Sequence, residues 1–441
     1  MSLAERKWLR LATLVILYVA QGIPWGFMAT TIPAYLASRG LDPGAVGVAL
    51  ATTTLPYTFK WVWGPVIDAI SIPRFGRRRP WIIFAQFMMA ATVAAMLALG
   101  DLTTDLKMLM WTILIHTVFN ALQDVSVDAL AVDLLQDDER GKANGMMYGA
   151  KYGGGAIGGI GLATVIAYTS LETALVVQAA LLLAIMFIPL LVRETNAPPA
   201  PRAKIGHIVR SFAHVFASRS AAVAILVMLT CTFALGVVTV RAYTLFTQEL
   251  GWSAQKYTSL VGGWGLVVGG SAAVSGGFMA DKFGPRKVAM IAWIAMGFGW
   301  LVFSLSSARW NEDWFVYALS IWETASQAVM SVSLFAACMQ LSLPTIGASQ
   351  FAAYMALSNF GTTLGYRAAG PLAELSAVDT WRLAAAIQVV TVLLLFLVNP
   401  AQTRKEVGDT AGRAPMRGWI VLGAVATFLV GMTAYIVKPM L

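Results

Sequence analysis

GPVIDAISIPRFGRRRP at residues 64–80 and GFMADKFGPRK at residues 277–287 are two versions of one short pattern. Each closes a long apolar run with Gly-x-x-x-Asp, continues with Phe-Gly and ends in basic residues. Asp68 of the first copy corresponds to Asp281 of the second, and the spacer before Phe-Gly is longer in the first copy. Repeated halves in an apolar chain are typical of membrane transporters. The pattern therefore predicts a membrane protein built from two matching halves.

The composition around the two copies is that of a chain dissolved in lipid. The 441 residues are 58% apolar and 12% charged, with a mean hydropathy of +0.71, well outside the balance of a soluble domain. A helix needs about 20 apolar residues to cross a bilayer core. Segments of this kind lie at 8–36, 43–70, 80–100, 106–135, 141–168, 171–192, 220–249, 253–280, 285–307, 313–341, 344–375, 380–399 and 418–437. Because they lack the in/out alternation of barrel strands, they predict an all-α polytopic membrane protein.

Polar stretches divide these thirteen segments into groups. The longest, 193–219, contains three prolines and five basic residues. It predicts a cytoplasmic linker between an N-terminal six-helix bundle at 1–192 and a C-terminal six-helix bundle at 220–400. The remaining residues, 401–441, predict a cytoplasmic segment followed by an additional transmembrane helix.

The net charge of +9 reports orientation rather than a nucleic-acid partner. With the N-terminus placed in the cytoplasm, 21 of the 31 Lys and Arg residues lie on the inner side and 6 on the outer side. This asymmetry fits the positive-inside rule. We therefore expect a cytoplasmic N-terminus, a lipid bilayer as the surrounding medium, and no nucleic-acid partner.

Ionisable residues inside the apolar segments form the candidate functional site. A charge at membrane depth costs at least a few kcal/mol, so each one is a functional-site hypothesis. Away from the segment ends, none falls in the third, sixth, ninth or twelfth segment. Counting residues from the inner ends places Lys60, Asp124 and Lys151 near mid-membrane. In the second half we expect Glu323 to neutralise one of two arginines. The set is Lys60, Asp124, Asp128 and Lys151 in the first half, and Arg241, Glu323 and Arg367 in the second.

The fourth segment repeats polar residues every four positions, at His116, Asn120, Asp124 and Asp128. This spacing predicts one slowly drifting polar face directed at a cavity. Asp124 and Asp128 are the proton-coupling candidates, because a carboxylate in a partly dry site can change protonation as a cavity opens and closes. The alternative is a static set of buried ion pairs that only fixes helix packing. Apart from a proton gradient, no cofactor is expected.

The balance of buried charge indicates the substrate. Four intramembrane cations face three acids, and unpaired buried cations need a partner, so we expect a small anionic substrate.

No catalytic constellation or metal cluster is recognisable, and we do not expect an enzyme. Glycines at 153–161 and 262–277 predict close helix approach. The substrate-binding candidates are Gln21, Lys60, Asn120, Gln123, Lys151, Tyr152, Arg241, Glu323 and Arg367.

Four stretches carry a family resemblance: YVAQGIPWGF (18–27), LPYTFKWVWGPVID (55–68), FGRRRPW (75–81) and QDVSVDALAVDLLQDDERGKANG (123–145). With the repeated loop pattern, they resemble the major facilitator superfamily, and within it the muropeptide permeases and the related acetyl-CoA and siderophore permeases. The resemblance implies two six-helix bundles with a thirteenth helix appended. It also implies a monomer in the bacterial inner membrane that imports anionic anhydro-muropeptides, which are sugar-peptides of cell-wall recycling, by proton-coupled alternating access.

The resemblance also assigns a cytoplasmic latch to the ends of the two repeats. Its residues would be Asp68, Arg77, Arg78, Asp281 and Arg286, and the alternative is that these basic loops only set topology. Lys151 departs from the muropeptide permeases, which more typically have arginine there, and leaves the exact substrate open. The rival functions are a siderophore or acetyl-CoA permease of the same fold and, from another class, a membrane sensor that does not transport.

Overall fold

The computed structural model describes the chain apart from residues 1, 2, 4, 64–66, 68–75, 99–104, 136–139, 195–204, 342–346, 400–414 and 439–441. The described residues contain no β-strand. Their main helices are α1 Lys7–Ser38, α2 Pro43–Thr58, α3 Arg79–Leu97, α4 Leu106–Leu134, α5 140–168, α6 Leu171–Leu191, α7 Ile205–Val215, α8 Arg219–Glu249, α9 254–283, α10 Pro285–Leu305, α11 Asp313–Leu341, α12 Gly347–Ala368, α13 Ala377–Phe396 and α14 Met416–Val437.

The prediction of an all-α polytopic membrane protein is confirmed. Helices α1–α6 match the first six predicted segments, and α8–α14 match the remaining seven. Among the described helices, eight are long and apolar enough to cross a membrane, and α14 is one of them. Helix α7 lies in the predicted linker and was not expected as a helix. Whether α14 crosses the membrane stays a prediction.

Helix α2 ends earlier than its segment predicts. The α-helix stops at Thr58, and Lys60–Val62 forms a short 3-10 turn. Pro56 has no N–H to continue the helical hydrogen-bond ladder, and the Phe59 N–H bonds back to the Pro56 carbonyl at 3.1 Å. Lys60 therefore lies in the short turn that follows α2 rather than in the middle of a helix.

Side-chain caps fix where several helices begin after short connections. The Asp42 carboxylate accepts from the Gly44 N–H at 2.7 Å at the start of α2. Ser170 and Ser376 cap α6 and α13, and each hydroxyl accepts from the N–H three residues later, at 3.2 and 3.1 Å. Each cap satisfies one of the N–H groups that a helix start leaves open.

Glycine seams join two pairs of helices. In the first half, a Cβ on Gly22 of α1 or Gly158 of α5 would collide with a backbone carbonyl of the facing helix. In the second half, the same holds for Gly361 and Gly365 of α12 against α8. Only glycine allows backbones this close. The first pair corresponds to predicted segments one and five, and the second pair to segments seven and eleven. Each pair thus joins the first and fifth segments of its half, so the repeat in the sequence has a counterpart in helix packing.

The chain groups into two compact units that do not follow chain order. Unit 1 comprises Met1–Pro199 together with Tyr243–Leu266, and unit 2 comprises Ala200–Ala242 together with Val267–Leu441. The end of α8 and the start of α9 thus belong to unit 1. The boundaries predicted for the two bundles stay a prediction.

Four π-helical turns meet inside unit 1. We call them the π-turn cluster: Phe27–Thr31 in α1, Ile157–Gly161 in α5, Leu245–Glu249 in α8 and Ser259–Trp264 in α9. The Thr31 hydroxyl lies 2.9 Å from the carbonyl oxygens of both Gly158 and Gly159. The Tyr243 hydroxyl donates to the Ala29 carbonyl at 2.8 Å. With the predicted orientation, this cluster lies towards the outer side.

Candidate functional site

The centre of the candidate site is one carboxylate shared by two ammonium groups. The Asp124 Oδ2 atom lies 3.1 Å from the Lys60 Nζ, and its Oδ1 atom lies 3.1 Å from the Lys151 Nζ. The Asp124 side chain is 6% exposed, whereas each lysine side chain is 27% exposed. The structure therefore brings together three predicted residues from three separate segments. The lysines reach open space while the aspartate stays enclosed.

The second predicted carboxylate lies one helical turn along α4. Asp128 accepts a hydrogen bond from the Tyr18 hydroxyl of α1. Tyr18 is buried and was not among the sequence candidates. Its position three residues before Gln21, almost one helical turn away, was the available signal. The four charged groups and this tyrosine are called the charged cluster below: Tyr18, Lys60, Asp124, Asp128 and Lys151.

The polar face of α4 rotates too far around the helix axis for all four of its residues to face the site. Four residues cover about 400°, so the face turns by about 40° at each step and by about 120° from the first member to the last. His116 consequently packs against α3, where its Nδ1 lies 2.8 Å from the Thr92 hydroxyl. It is fully buried. The prediction of one face directed at a cavity is therefore wrong for His116.

Amide side chains lie beside the charged cluster. Gln21 and Asn120 are 1% and 3% exposed. Within the described structure, neither amide atom of Gln21 has a hydrogen-bond partner, and neither has the Asn120 Oδ1. Gln123 donates to the Leu17 carbonyl at 3.3 Å, while its own carbonyl oxygen is unmatched by any described donor. Buried amides without partners cost free energy, so these groups are suited to a polar ligand or water.

The gap beside Asn120 is small. It is bordered by residues of α1, α2 and α4, and has a volume of about 10 Å³, which is the space of one water molecule. Tyr152, the neighbour of Lys151, is 37% exposed. The gap is lined by Pro24, Trp25, Met28, Ala29, Thr53, Tyr57, Thr117 and Asn120.

The second-half candidates all belong to unit 2. Arg367 places its guanidinium 4.5 Å from the ring centroid of Tyr435 in α14. Glu323 is half-buried in α11, and no described arginine forms an ion pair with it. The guanidinium of Arg367 turns to α14 instead, and the expectation that Glu323 neutralises one of the two arginines stays a prediction. Arg241 is half-buried in α8 and contacts other groups.

The loop before α3 is held by two acids that sequence reasoning missed. The Glu194 carboxylate accepts from the backbone N–H of Arg78 at 2.9 Å and of Arg79 at 2.6 Å, and it also accepts from that of Arg77. The Arg78 guanidinium pairs with Asp133 of α4 at 2.8 Å. Asp133 lies nine residues after Asp124, which is half a turn out of phase, so it faces this loop rather than the charged cluster.

The structure describes the side chains of only some of the remaining latch candidates. Asp68 lies outside the described residues, and Asp281 lies in α9 with its side chain not described. Arg286 donates to the Phe396 carbonyl of α13 at 2.9 Å. The pairing of Asp68 and Asp281 with these arginines stays a prediction.

Comparisons with known proteins agree with this architecture. A family model described as Major Facilitator Superfamily matches residues 14–366 and 242–440. The anhydromuropeptide permease of Escherichia coli K12 is 26% identical over 395 residues, which are 88% of this chain and 79% of that protein. A putative transporter of Rickettsia conorii, AmpG 4, is 29% identical over 138 residues, covering 31% of this chain and 33% of that protein.

Solved structures share the fold at low sequence identity. A single-residue variant of the nucleoside transporter NupG superposes with a TM-score of 0.71 at 16% identity, covering 88% of this chain and 99% of its own. A D-xylose-proton symporter gives a TM-score of 0.68 at 15% identity, with coverage of 88% and 97%.

Proposed function

Because the chain belongs to the major facilitator superfamily, we propose that it imports anionic anhydro-muropeptides across the bacterial inner membrane, driven by protons and by alternating access. A multi-pass permease rather than an enzyme follows from the family alone. The finer assignment of substrate, proton coupling and orientation is the proposal. The observation that carries it is the Asp124 carboxylate shared between Lys60 and Lys151.

The charge of this cluster depends on protonation in a way that suits symport. With Asp124 and Asp128 both ionised, the two lysines are balanced and the cluster is neutral. When either carboxylate takes a proton, the cluster carries one net positive charge. An anionic substrate is attracted to that state, since opposite charges attract strongly in a partly dry site. Proton binding and anion binding therefore favour each other.

The choice of substrate draws on two supports. The E. coli relative, similar over most of both chains, is named an anhydromuropeptide permease. The charged cluster and the neighbouring buried amides would serve a molecule with carboxylates and neutral polar groups. Siderophores and acetyl-CoA also carry anionic groups, so they are alternative outcomes of the test.

Uptake into proteoliposomes tests the proposal. We expect labelled anhydro-muropeptide to accumulate when the outside is more acidic than the lumen, and to exchange in counterflow without a gradient. Accumulation of a siderophore or acetyl-CoA instead would contradict the substrate. Binding without counterflow would contradict transport and favour the sensor.

Asp124→Asn tests the coupling. We expect it to lose gradient-driven accumulation while keeping counterflow, because the amide cannot be ionised. The variant leaves two ammonium groups without their carboxylate, and breaking a buried pair can cost about 3–5 kcal/mol of stability. The matched control is Lys60→Met with Asp124→Asn, which restores charge balance and should fold well yet remain uncoupled. Full gradient-driven uptake by Asp124→Asn would refute the role.

A further inference from the structure

Helix α14 contacts the rest of unit 2 at three heights. Near its start, Gly418 lies so close to the Ala213 carbonyl of α7 that a Cβ would collide with it. Near its middle, Phe428 and Phe360 of α12 meet edge to face, with ring centroids 6.2 Å apart. Near its end, Tyr435 meets Arg367 at 4.5 Å. Helix α14 thus touches its neighbours at these three points, although only Gly418 and Ile436 of the helix are buried.

The last two contacts share one geometry. Phe428 and Tyr435 are seven residues apart on α14, and Phe360 and Arg367 are seven residues apart on α12. Residues at this spacing lie on one face of a helix. The two helices therefore run side by side in the same direction, and Arg367 lies on the face of α12 that α14 covers.

The Tyr435 ring attracts a cation without supplying a lone-pair acceptor, and the Arg367 guanidinium lies over it. Its N–H donors lie in the plane of the group, so they remain directed outward from its edge. The Arg367 Nε atom is buried and has no hydrogen-bond partner among the described residues. Tyr435 also lies in the last turn of α14, where the helix carbonyls favour a cation. Both effects hold the cation in place while its edge can still bind an anion.

We propose that α14 is part of the anion-binding apparatus, and that Tyr435 is a positioning residue that holds Arg367 for a carboxylate or phosphate of the substrate. This inference rests on the proposed function, and on the prediction from the sequence that Arg367 binds the substrate's anionic group. It gives the appended helix a role in substrate affinity rather than in anchoring alone.

Three variants separate positioning from packing, using initial uptake rates in proteoliposomes. Tyr435→Leu removes the π face but keeps an apolar side chain, and we expect KM to rise about 3- to 30-fold with kcat changed by less than about 2-fold. Tyr435→Phe keeps the ring and should retain the wild-type KM. Phe428→Leu is the matched control, since it weakens the other aromatic contact of α14. It should lower the thermal unfolding midpoint in detergent without changing KM.

Several results would overturn the inference. These are an unchanged KM in Tyr435→Leu, a Tyr435→Phe variant as impaired as Tyr435→Leu, or an equal rise of KM in Phe428→Leu, which would assign the effect to helix packing. The wild type is measured first with anhydro-muropeptide, acetyl-CoA and a carboxylate siderophore. Preference for one of the latter two overturns the proposed substrate only, and the variants are then compared with that probe. A wild type that exchanges none of the three overturns both proposals.

Discussion

Gln21 holds a complete amide group in the interior of unit 1 with no described partner for either polar atom. Leucine has a similar size and nothing to desolvate. We therefore expect Gln21→Leu to stabilise the folded protein by about 1–3 kcal/mol and to raise KM for the anionic substrate, because a hydrogen-bonding group is lost from the site. Thermal unfolding in detergent and uptake kinetics measure the two effects.

Gln86 of α3 provides a matched control for Gln21. It is fully buried, and both of its amide atoms also have no described partner, but its helix carries none of the predicted site residues. Gln86→Leu should give a comparable gain in stability with unchanged uptake. If Gln21→Leu likewise leaves KM unaltered, Gln21 has no part in binding.

Individual residues also show which parts of the site could be predicted from the sequence. Lys60, Asp124 and Lys151 could be grouped because their depth follows from counting along apolar segments. Tyr18 and Glu194 were missed because neither is a charged residue inside an apolar segment, and their contacts to Asp128 and Arg79 join positions 110 and 115 residues apart. Those contacts depend on how each helix is rotated about its axis. Hydropathy gives the length of a helix but gives this rotation only weakly.

Among the elements, the seam between α1 and α5 is sensitive to added volume. A Cβ on Gly158 would collide with the Ile23 carbonyl, so Gly158→Ala must push the helices apart. We expect a loss of about 1–3 kcal/mol in stability, seen as a lower thermal unfolding midpoint in detergent. The loss should also disturb the π-turn cluster, since Thr31 bonds to the Gly158 carbonyl.

Gly153 of the same helix is the control for this change. A Cβ there meets nothing within 4 Å, so Gly153→Ala should be neutral or should stabilise α5 by up to about 1 kcal/mol through helix propensity. Equal effects of the two alanines would show that the seam tolerates volume and that the close approach is not what glycine provides.

The helices themselves were more predictable than their interruptions. Long apolar runs dictate helices in lipid, because every backbone polar group must find a partner within its own segment. The early end of α2 depends on the local effect of Pro56, and α7 lies in a proline-containing polar stretch whose composition predicts a linker. Local backbone chemistry decides such details, and hydropathy averages over them.

At the scale of the whole molecule, orientation is the most direct open test. We expect alkaline phosphatase, which is active only outside the cytoplasm, to be active when fused after Leu441 and inactive when fused at Asn399 or in the linker. The reason is the inward bias of basic residues combined with one more crossing through α14. Active fusions at Asn399 and inactive ones after Leu441 would reverse the assigned orientation.

The composition of unit 1 has a consequence for biosynthesis. Its second segment ends at Leu266, which follows Pro199 by 67 residues, so a nascent chain cannot complete this unit when its first six helices leave the ribosome. Until Tyr243–Leu266 has been synthesised, the ends of α1 and α5 lie in the bilayer without the parts of α8 and α9 that cover them. A gene cut at the linker should therefore yield an N-terminal fragment that survives poorly alone and is rescued by co-expression of the other piece.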